Sequence, residues 1–169
     1  MTDIAEPDQE QIDAFWVDAR MRAHVNELAA YWGPKPLDSL QPPASAFGGT
    51  AEVADDLAEL IVRGVKTATA CALWDYEAED EPLPERGDLE IVLDGSGQPR
   101  ALIMTTAVEV VPFDEVTAEH ACGEGEGDRS LEHWRQVHEN FFTTYATHDQ
   151  AFSPTMPVVC QTFELLHPR

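Results

Sequence analysis

The feature that most constrains the fold is a pair of strand-like segments joined by a short, glycine-containing turn. The segments Asp88 to Leu93 and Arg100 to Val111 alternate well enough between apolar and polar residues to be strands. Between them, Asp94-Gly95-Ser96-Gly97 has the composition of a hairpin turn. The pattern therefore predicts an antiparallel hairpin.

Further strand and helix patterns surround this hairpin. Strands are predicted at Val65 to Trp74, which is rich in threonine and small residues, and at Pro157 to Leu166. Apolar residues at helical spacing predict three helices, at Gln11 to Trp32, Thr50 to about Arg63, and Asp128 to Tyr145. Prolines and glycines between Gly33 and Gly49 indicate an irregular connection. Helices that bracket strands joined by tight turns are typical of an α+β domain built on an antiparallel sheet or small barrel.

The charge of the chain limits its partners. Its 169 residues carry a formal net charge of -22, which disfavours a large non-specific contact with nucleic acid or an anionic membrane. No apolar stretch approaches the roughly 18 residues of a membrane span. Three widely spaced cysteines and the absence of a signal-like apolar run lead us to expect a reduced, cytoplasmic protein.

Lys66 is one of only two lysines and lies in the segment Lys66-Thr67-Ala68-Thr69. Burial or neighbouring charge can remove the proton of a lysine, which would let it activate a hydroxyl nucleophile. The alternative is a solvated lysine beside threonines that only fill a strand. Residues three apart on a regular strand face opposite sides, so Lys66 and Thr69 can meet only if the chain bends there.

A glycine-rich segment, Gly123-Glu124-Gly125-Glu126-Gly127, supplies two carboxylates. It lacks the lysine and hydroxyl residue of a phosphate-binding P-loop. Either Glu124 or Glu126 could exchange a proton or bind a divalent cation, and the alternative is an exposed acidic loop. The spacing of the histidines and cysteines predicts no structural metal, and His120 is the histidine nearest to this segment.

Four larger side chains are candidates for ligand contacts. Trp74 and Tyr76 share strand parity and could stack on a base, or one or both could simply cover the core. Arg129 and Arg135 could meet a phosphate, although arginines in so acidic a helix usually pair with carboxylates.

The ordered series of these motifs resembles the ASCH domain family, especially its longer bacterial branch. The resemblance runs from about Phe47 to Phe163 and rests on four groups of residues in order: Lys66-Thr67-Ala68-Thr69-Ala70, Trp74-Asp75-Tyr76-Glu77, Gly87-Asp88-Leu89, and Gly123 to Asp128 followed by Ser130-Leu131 and Trp134-Arg135. It implies a PUA-like small β-barrel with flanking α-helices and a ligand cleft beside the first barrel strand. We therefore expect an ASCH domain over residues 47–169, with residues 1–46 forming a helix and a proline-rich connection that pack on it.

The resemblance also implies activities on RNA or its components. One small member of the family hydrolyses the acetyl amide of N4-acetylcytidine with a lysine, a threonine and a glutamate, which correspond to Lys66, Thr69 and either Glu124 or Glu126. Where the small members have an arginine two residues after the threonine, this chain has Cys71. A ribonuclease activity has been assigned to a longer member.

Two classes of function follow. The first is a hydrolase for a modified cytosine nucleoside, or a ribonuclease that uses the same cleft. It would have Lys66 as base or electrostatic activator, Thr69 as nucleophile, and Glu124 or Glu126 as acid. The second is a module that binds a nucleoside or short single-stranded RNA without chemistry, and Thr67 would line the cleft in either case. We expect no cofactor for these functions, and the net charge favours a nucleoside-sized ligand over a polymer.

Overall fold

A computed structural model describes residues 2–23 and 40–169. Its helices, in chain order, are α1 (Gln9–Arg22), α2 (Ala51–Val62), α3 (Leu73–Glu79), α4 (Ala118–Glu124) and α5 (Leu131–Thr144). Its strands are β1 (Ala44–Ala46), β2 (Ala68–Ala72), β3 (Leu89–Leu93), β4 (Pro99–Pro112) and β5 (Pro157–Pro168). The strands hydrogen-bond in the order β1-β3-β4-β5-β2, which confirms the predicted α+β class.

The predicted hairpin is formed by β3 and β4, which pair antiparallel from Leu89 opposite Met104 to Leu93 opposite Pro99. The Asp94 carboxylate accepts hydrogen bonds from the backbone N–H groups of Ser96 and Gln98 in the turn. The turn is closed by two backbone hydrogen bonds, from the Asp94 N–H to the Gln98 carbonyl and from the Gly97 N–H to the Asp94 carbonyl. An aspartate at the start of a turn stabilises the turn through such side-chain hydrogen bonds. The hairpin could therefore be predicted from the residues of the turn itself.

Two compact units divide the described residues. The first comprises those of residues 1–62, 87–104 and 164–169. Its core contains one stripe of α1 together with residues of β3 and β4: Ile12, Phe15, Trp16, Ala19, Ile91, Leu93 and Leu102. The α1 residues recur at the spacing of a helix that buries one face. The structure confirms the predicted helix as far as Arg22, and its predicted continuation to Trp32 lies outside the described residues.

The second unit comprises residues 63–86 and 105–163, and it contains every candidate site residue. Its core brings β2 and β5 together with α4 and α5: Ala70, Ala72, Phe113, Val116, Ala121, Trp134, Phe142, Met156, Val158 and Cys160. β2 and β5 are antiparallel, from Ala68 opposite Thr162 to Ala72 opposite Val158. This pairing fixes which residues of β2 face the core.

Three parts of the secondary structure differ from the predictions. The predicted strand from Val65 to Trp74 is shorter, and Leu73 begins a helix. If β2 continued, Leu73 would lie opposite Pro157, which has no N–H to donate, so the ladder stops there. The expected irregular connection contains the short strand β1, and the glycine-rich segment, for which an exposed acidic loop was one alternative, begins inside α4.

Candidate functional site

Lys66 is enclosed by protein, and the solvated alternative for this residue is wrong. Its relative exposure is 2%, among the lowest of the polar residues in the described part of the chain. The ammonium nitrogen lies 3.0 Å from Oε2 of Glu124 and 2.9 Å from Oε1 of Glu126. The two carboxylates that the sequence left as alternatives therefore hold the same cation.

The backbone around Lys66 explains how the lysine reaches these acids. Lys66 precedes the first residue of β2, so the regular alternation of a strand does not orient it. The next residue, Thr67, donates its N–H to the carbonyl of Gly123 at 2.8 Å, and its own carbonyl accepts from Phe163 of β5 at 2.9 Å. This clamp joins the start of β2 to the end of α4, where Glu124 lies.

Glycines allow the end of α4 to approach the lysine segment closely. Gly125 has φ +74°, and a Cβ on it would lie 2.8 Å from the carbonyl oxygen of Val65. A Cβ on Gly123 would lie 3.3 Å from that of Ala68. The glycines of this segment therefore permit close backbone packing, and Glu124, with 1% exposure, does not lie in an exposed loop.

This packing gives a testable expectation for Gly125→Ala. The substitution adds a clash with Val65 to the strain of a positive φ, so we expect it to lower the free energy of unfolding by about 2 to 4 kcal/mol in urea titrations. Gly64→Ala is the matched control, because Gly64 has φ +70° but a Cβ there would meet nothing within 4 Å. It should cost about 1 kcal/mol. Equal losses in the two variants would contradict the close approach.

Glu124 receives an unusual number of polar contacts for a buried carboxylate. Its Oε1 accepts a 2.6 Å hydrogen bond from the indole Nε1–H of Trp134 and lies 3.1 Å from Nε2 of His120. Nε2 of His138 is 3.5 Å from the same oxygen. Burial raises the pKa of Glu124, but Lys66 and the two histidines lower it more, so its pKa lies well below the usual range and the group remains an anion.

The charge of Lys66 is set by the same competition. Burial lowers the pKa of Lys66, whereas the negative charges of Glu124 and Glu126 raise it, and the net result is a pKa above the usual value. Lys66 is therefore an ammonium in this structure. Of the two roles expected for it, this state suits electrostatic activation and does not suit proton abstraction.

Glu126 differs from Glu124 in its access to solvent. Its side chain is 24% exposed, and it lies between two glycines with positive φ, Gly125 and Gly127. A cavity of about 10 Å³ beside it, also lined by Ser130, His133 and Trp134, has room for about one water molecule. A larger ligand must therefore approach Glu126 from its solvent side.

The two threonines are less closely connected to the lysine. Thr69 lies on β2 between the buried Ala68 and Ala70, so its half-buried side chain faces the other side of the strand. Among the described residues, no hydrogen bond joins its hydroxyl to the Lys66 ammonium. The exposed Thr67 donates its hydroxyl to the Gly123 carbonyl at 3.3 Å. The catalytic role of Thr69 and the ligand-binding role of Thr67 remain predictions.

The predicted aromatic face of β2 does not exist, because Trp74 and Tyr76 belong to α3. Residues two apart on a helix point in widely different directions, so strand parity does not bring these rings together. Trp74 packs against the core of the second unit and makes an edge contact with His148. This packing is consistent with the alternative prediction, in which Trp74 covers the core.

The two arginines donate to backbone carbonyls. Arg129 donates from Nε to the Cys122 carbonyl at 3.2 Å, at the end of α4, and Arg135 donates to the Asp114 carbonyl at 3.0 Å. Within the described residues, the contacts of Arg129 and Arg135 are therefore with backbone carbonyls and not with the carboxylates that the sequence led us to expect. Their proposed contact with a phosphate remains a prediction.

Sequence reasoning missed the contribution of α5 to the site. Trp134 and His138 belong to the apolar stripe that predicts this helix, and neither was proposed as a site residue, yet both approach Glu124. A histidine within a buried stripe needs a polar partner, and this requirement was the available signal.

The described residues contain no cluster of three or more histidine, cysteine or acidic side chains suited to a metal ion. No helix among them is long and apolar enough to cross a membrane.

Fold and site together define an α+β domain in which a buried lysine at the start of a strand is held by acids from a glycine-rich helix end. A model of the ASCH domain family matches residues 43–167, so the chain belongs to this family and has its PUA-like fold. A solved protein from Enterococcus faecalis V583 is 33% identical, with a TM-score of 0.75 and coverage of 95% of both chains.

A second solved structure supports the same assignment. The ASCH domain from Lactobacillus crispatus JV V101 is 27% identical, with a TM-score of 0.71, and the alignment covers 86% of this chain and 94% of that one. No curated protein matches the chain.

Proposed function

We propose that this ASCH-domain protein is a hydrolase that cleaves the acyl amide of a modified cytosine nucleoside, with N4-acetylcytidine as the test substrate. The observation that carries the proposal is the Lys66 ammonium, which is buried against one enclosed and one partly exposed carboxylate. A cation that is fixed in a desolvated site stabilises negative charge as it develops on a substrate oxygen. The resemblance to the amidohydrolase member of the family supports the choice of substrate.

The three charged groups divide the work of amide hydrolysis. Lys66 stabilises the oxyanion that forms when a nucleophile adds to the acetyl carbonyl carbon. Glu124, which has 1% exposure and is an anion at neutral pH because its pKa is lowered, holds the ammonium in place. Glu126 is accessible enough to receive the proton of the nucleophile and pass it to the departing N4 amine.

Thr69 is the proposed nucleophile on the basis of the family resemblance. Its hydroxyl oxygen forms a bond to the acetyl carbon, the bond from this carbon to N4 breaks, and cytidine leaves with the transferred proton. Water then hydrolyses the acetyl ester and releases acetate. In this mechanism the substrate lies between the Thr69 hydroxyl and the Lys66 ammonium, which make no hydrogen bond to each other.

Charge favours a nucleoside over an RNA chain. The chain has a net charge of -22, and the Lys66 cation is already accompanied by two carboxylates. A phosphodiester would add further negative charge beside Glu126, whereas an acetylated cytosine base is neutral.

The proposal is tested by incubating the protein with N4-acetylcytidine and, separately, with single-stranded RNA. We expect cytidine and acetate from the first and intact RNA from the second. Thr69→Val and Glu126→Gln should lower the rate at least about a hundredfold, on the scale of general acid–base catalysis. Arg100→Met is the folded control, because the Arg100 side chain is 27% exposed and its ion pairs within the described ranges are with Glu59 and Asp94. Saturable binding without turnover would overturn the hydrolase and leave a binding module, whereas RNA cleavage lost in Glu126→Gln would indicate the ribonuclease.

A further inference from the structure

The two oxygens of Glu124 have separate partners. Oε2 accepts from Lys66 at 3.0 Å, while Oε1 accepts the 2.6 Å hydrogen bond from the indole of Trp134. The indole N–H is a donor only, and the exposure of Trp134 is 3%. A donor that can neither rotate to another acceptor nor reach water fixes the orientation of the carboxylate it meets.

Trp134 is itself fixed by its neighbours. Its ring stacks on His138 with centroids 4.2 Å apart and an interplanar angle of 16°, and it packs against Phe113 at 5.2 Å. Nδ1 of His138 lies 3.0 Å from the Trp134 carbonyl. Because a carbonyl can only accept, this nitrogen carries the hydrogen, and the other ring nitrogen is directed to Oε1 of Glu124.

Glu126 has no comparable support among the described residues. In the described part of the chain, the hydrogen bond from Lys66 is the one polar contact of the Glu126 side chain, which is 24% exposed. A carboxylate that is held by several partners, beside one that is held only by Lys66, would give the ammonium a defined position while leaving the second acid free to adjust to a ligand.

We propose that Trp134 is a positioning residue, whose indole N–H holds Glu124 so that Oε2 keeps the Lys66 ammonium aimed at the ligand. His138 supports this role by stacking on the indole. The expected effect of Trp134 on the rate of hydrolysis rests on the hydrolase proposed above. Its effect on the orientation of the Glu124 carboxylate does not depend on that function. Trp134 acts through Glu124 and is not expected to touch the substrate.

The test is Trp134→Phe, which keeps an aromatic ring but removes the donor. Trp16→Phe is the matched control, because Trp16 is 5% exposed and belongs to the core of the first unit. The pKa of the Glu124 carboxyl, followed by NMR in protein with ¹³C-labelled glutamate, should rise in Trp134→Phe and stay unchanged in Trp16→Phe. For hydrolysis of N4-acetylcytidine, kcat should fall about tenfold with KM within about twofold, as expected for loss of one charge-assisted hydrogen bond.

The outcomes separate this inference from the proposed function. If the wild-type protein shows no hydrolysis, the proposed function fails, and the carboxyl titration still decides the positioning role. An unchanged Glu124 pKa in folded Trp134→Phe overturns the inference even if hydrolysis proceeds. If that variant does not fold, the indole proton of Trp134 in the wild-type protein gives the answer: it should resonate downfield and move back in Glu124→Gln, and an identical shift in both proteins overturns the inference.

Discussion

Replacing Lys66 with methionine is expected to produce the largest loss of stability of any substitution considered for this protein. Methionine fills a similar volume but leaves the Glu124 carboxylate buried without its countercharge. Removing one partner of a buried ion pair typically costs about 3 to 5 kcal/mol. We expect a loss of that size in the free energy of unfolding at neutral pH, measured by urea denaturation, together with loss of any hydrolysis of N4-acetylcytidine.

The matched control for this variant is Arg100→Met. Arg100 also contacts two acids, but its side chain is 27% exposed. Its 3.2 Å contact is with Glu59, which is 54% exposed, and its contact with the less exposed Asp94 is longer, at 3.7 Å. Exposed pairs of this kind contribute about 0 to 1 kcal/mol. If Lys66→Met proved no more costly than Arg100→Met, the buried charge cluster would not exist in solution.

The second large effect is the difference between Glu124→Gln and Glu126→Gln. A glutamine at position 124 places an uncharged group against Lys66 in a fully enclosed site, so we expect a loss of about 3 kcal/mol at pH 7. Glu126 is 24% exposed, and Glu126→Gln should cost about 1 kcal/mol or less. Urea titrations of the two variants would measure this difference directly, and equal costs would contradict the distinct environments of the two acids.

Glu124→Gln should also change how the stability of the protein depends on pH. The folded pKa of Glu124 lies well below the ordinary value of 4.5, so the anion's contribution is fully present above about pH 5 and is lost as the pH falls through the folded pKa. The stability gap between wild type and Glu124→Gln should therefore narrow in acid. At the alkaline end, the contribution of Lys66, whose pKa is raised, should persist until the pH exceeds its ordinary value of 10.5. A constant gap from pH 7 to pH 3 would contradict the lowered pKa of Glu124.

Local patterns were sufficient for most of the fold. The Asp94-Gly95 turn and the stripes of α1, α2 and α5 are determined by residues close in sequence. The turn, the start of α1 and both ends of α2 and α5 were located to within a few residues. The end of β2 could not be located in this way, because it depends on Pro157 more than 80 positions away, which the register places opposite Leu73. The short β1 depends on its parallel pairing with β3 in the same manner.

The three charged residues of the candidate site were predictable, but their arrangement was not. Lys66, Glu124 and Glu126 were selected from residue type and family resemblance, and the structure brings all three together. Their burial follows from the close contact between Gly125 and Val65, which no local pattern reveals. The contribution of Trp134 was hidden for a similar reason, since an indole in an apolar stripe has the same sequence signature whether or not its N–H meets an acid.

We propose above that the Lys66 ammonium, together with Glu124 and Glu126, forms the ligand site. NMR of protein with ¹⁵N-labelled lysine tests it most directly, because the chain has only two lysines and Lys66→Met identifies the relevant side-chain signal. On addition of N4-acetylcytidine, we predict a saturable change in the Lys66 Nζ resonance with the same concentration dependence as hydrolysis. Hydrolysis or binding that leaves this resonance unmoved would contradict the account and place the ligand elsewhere.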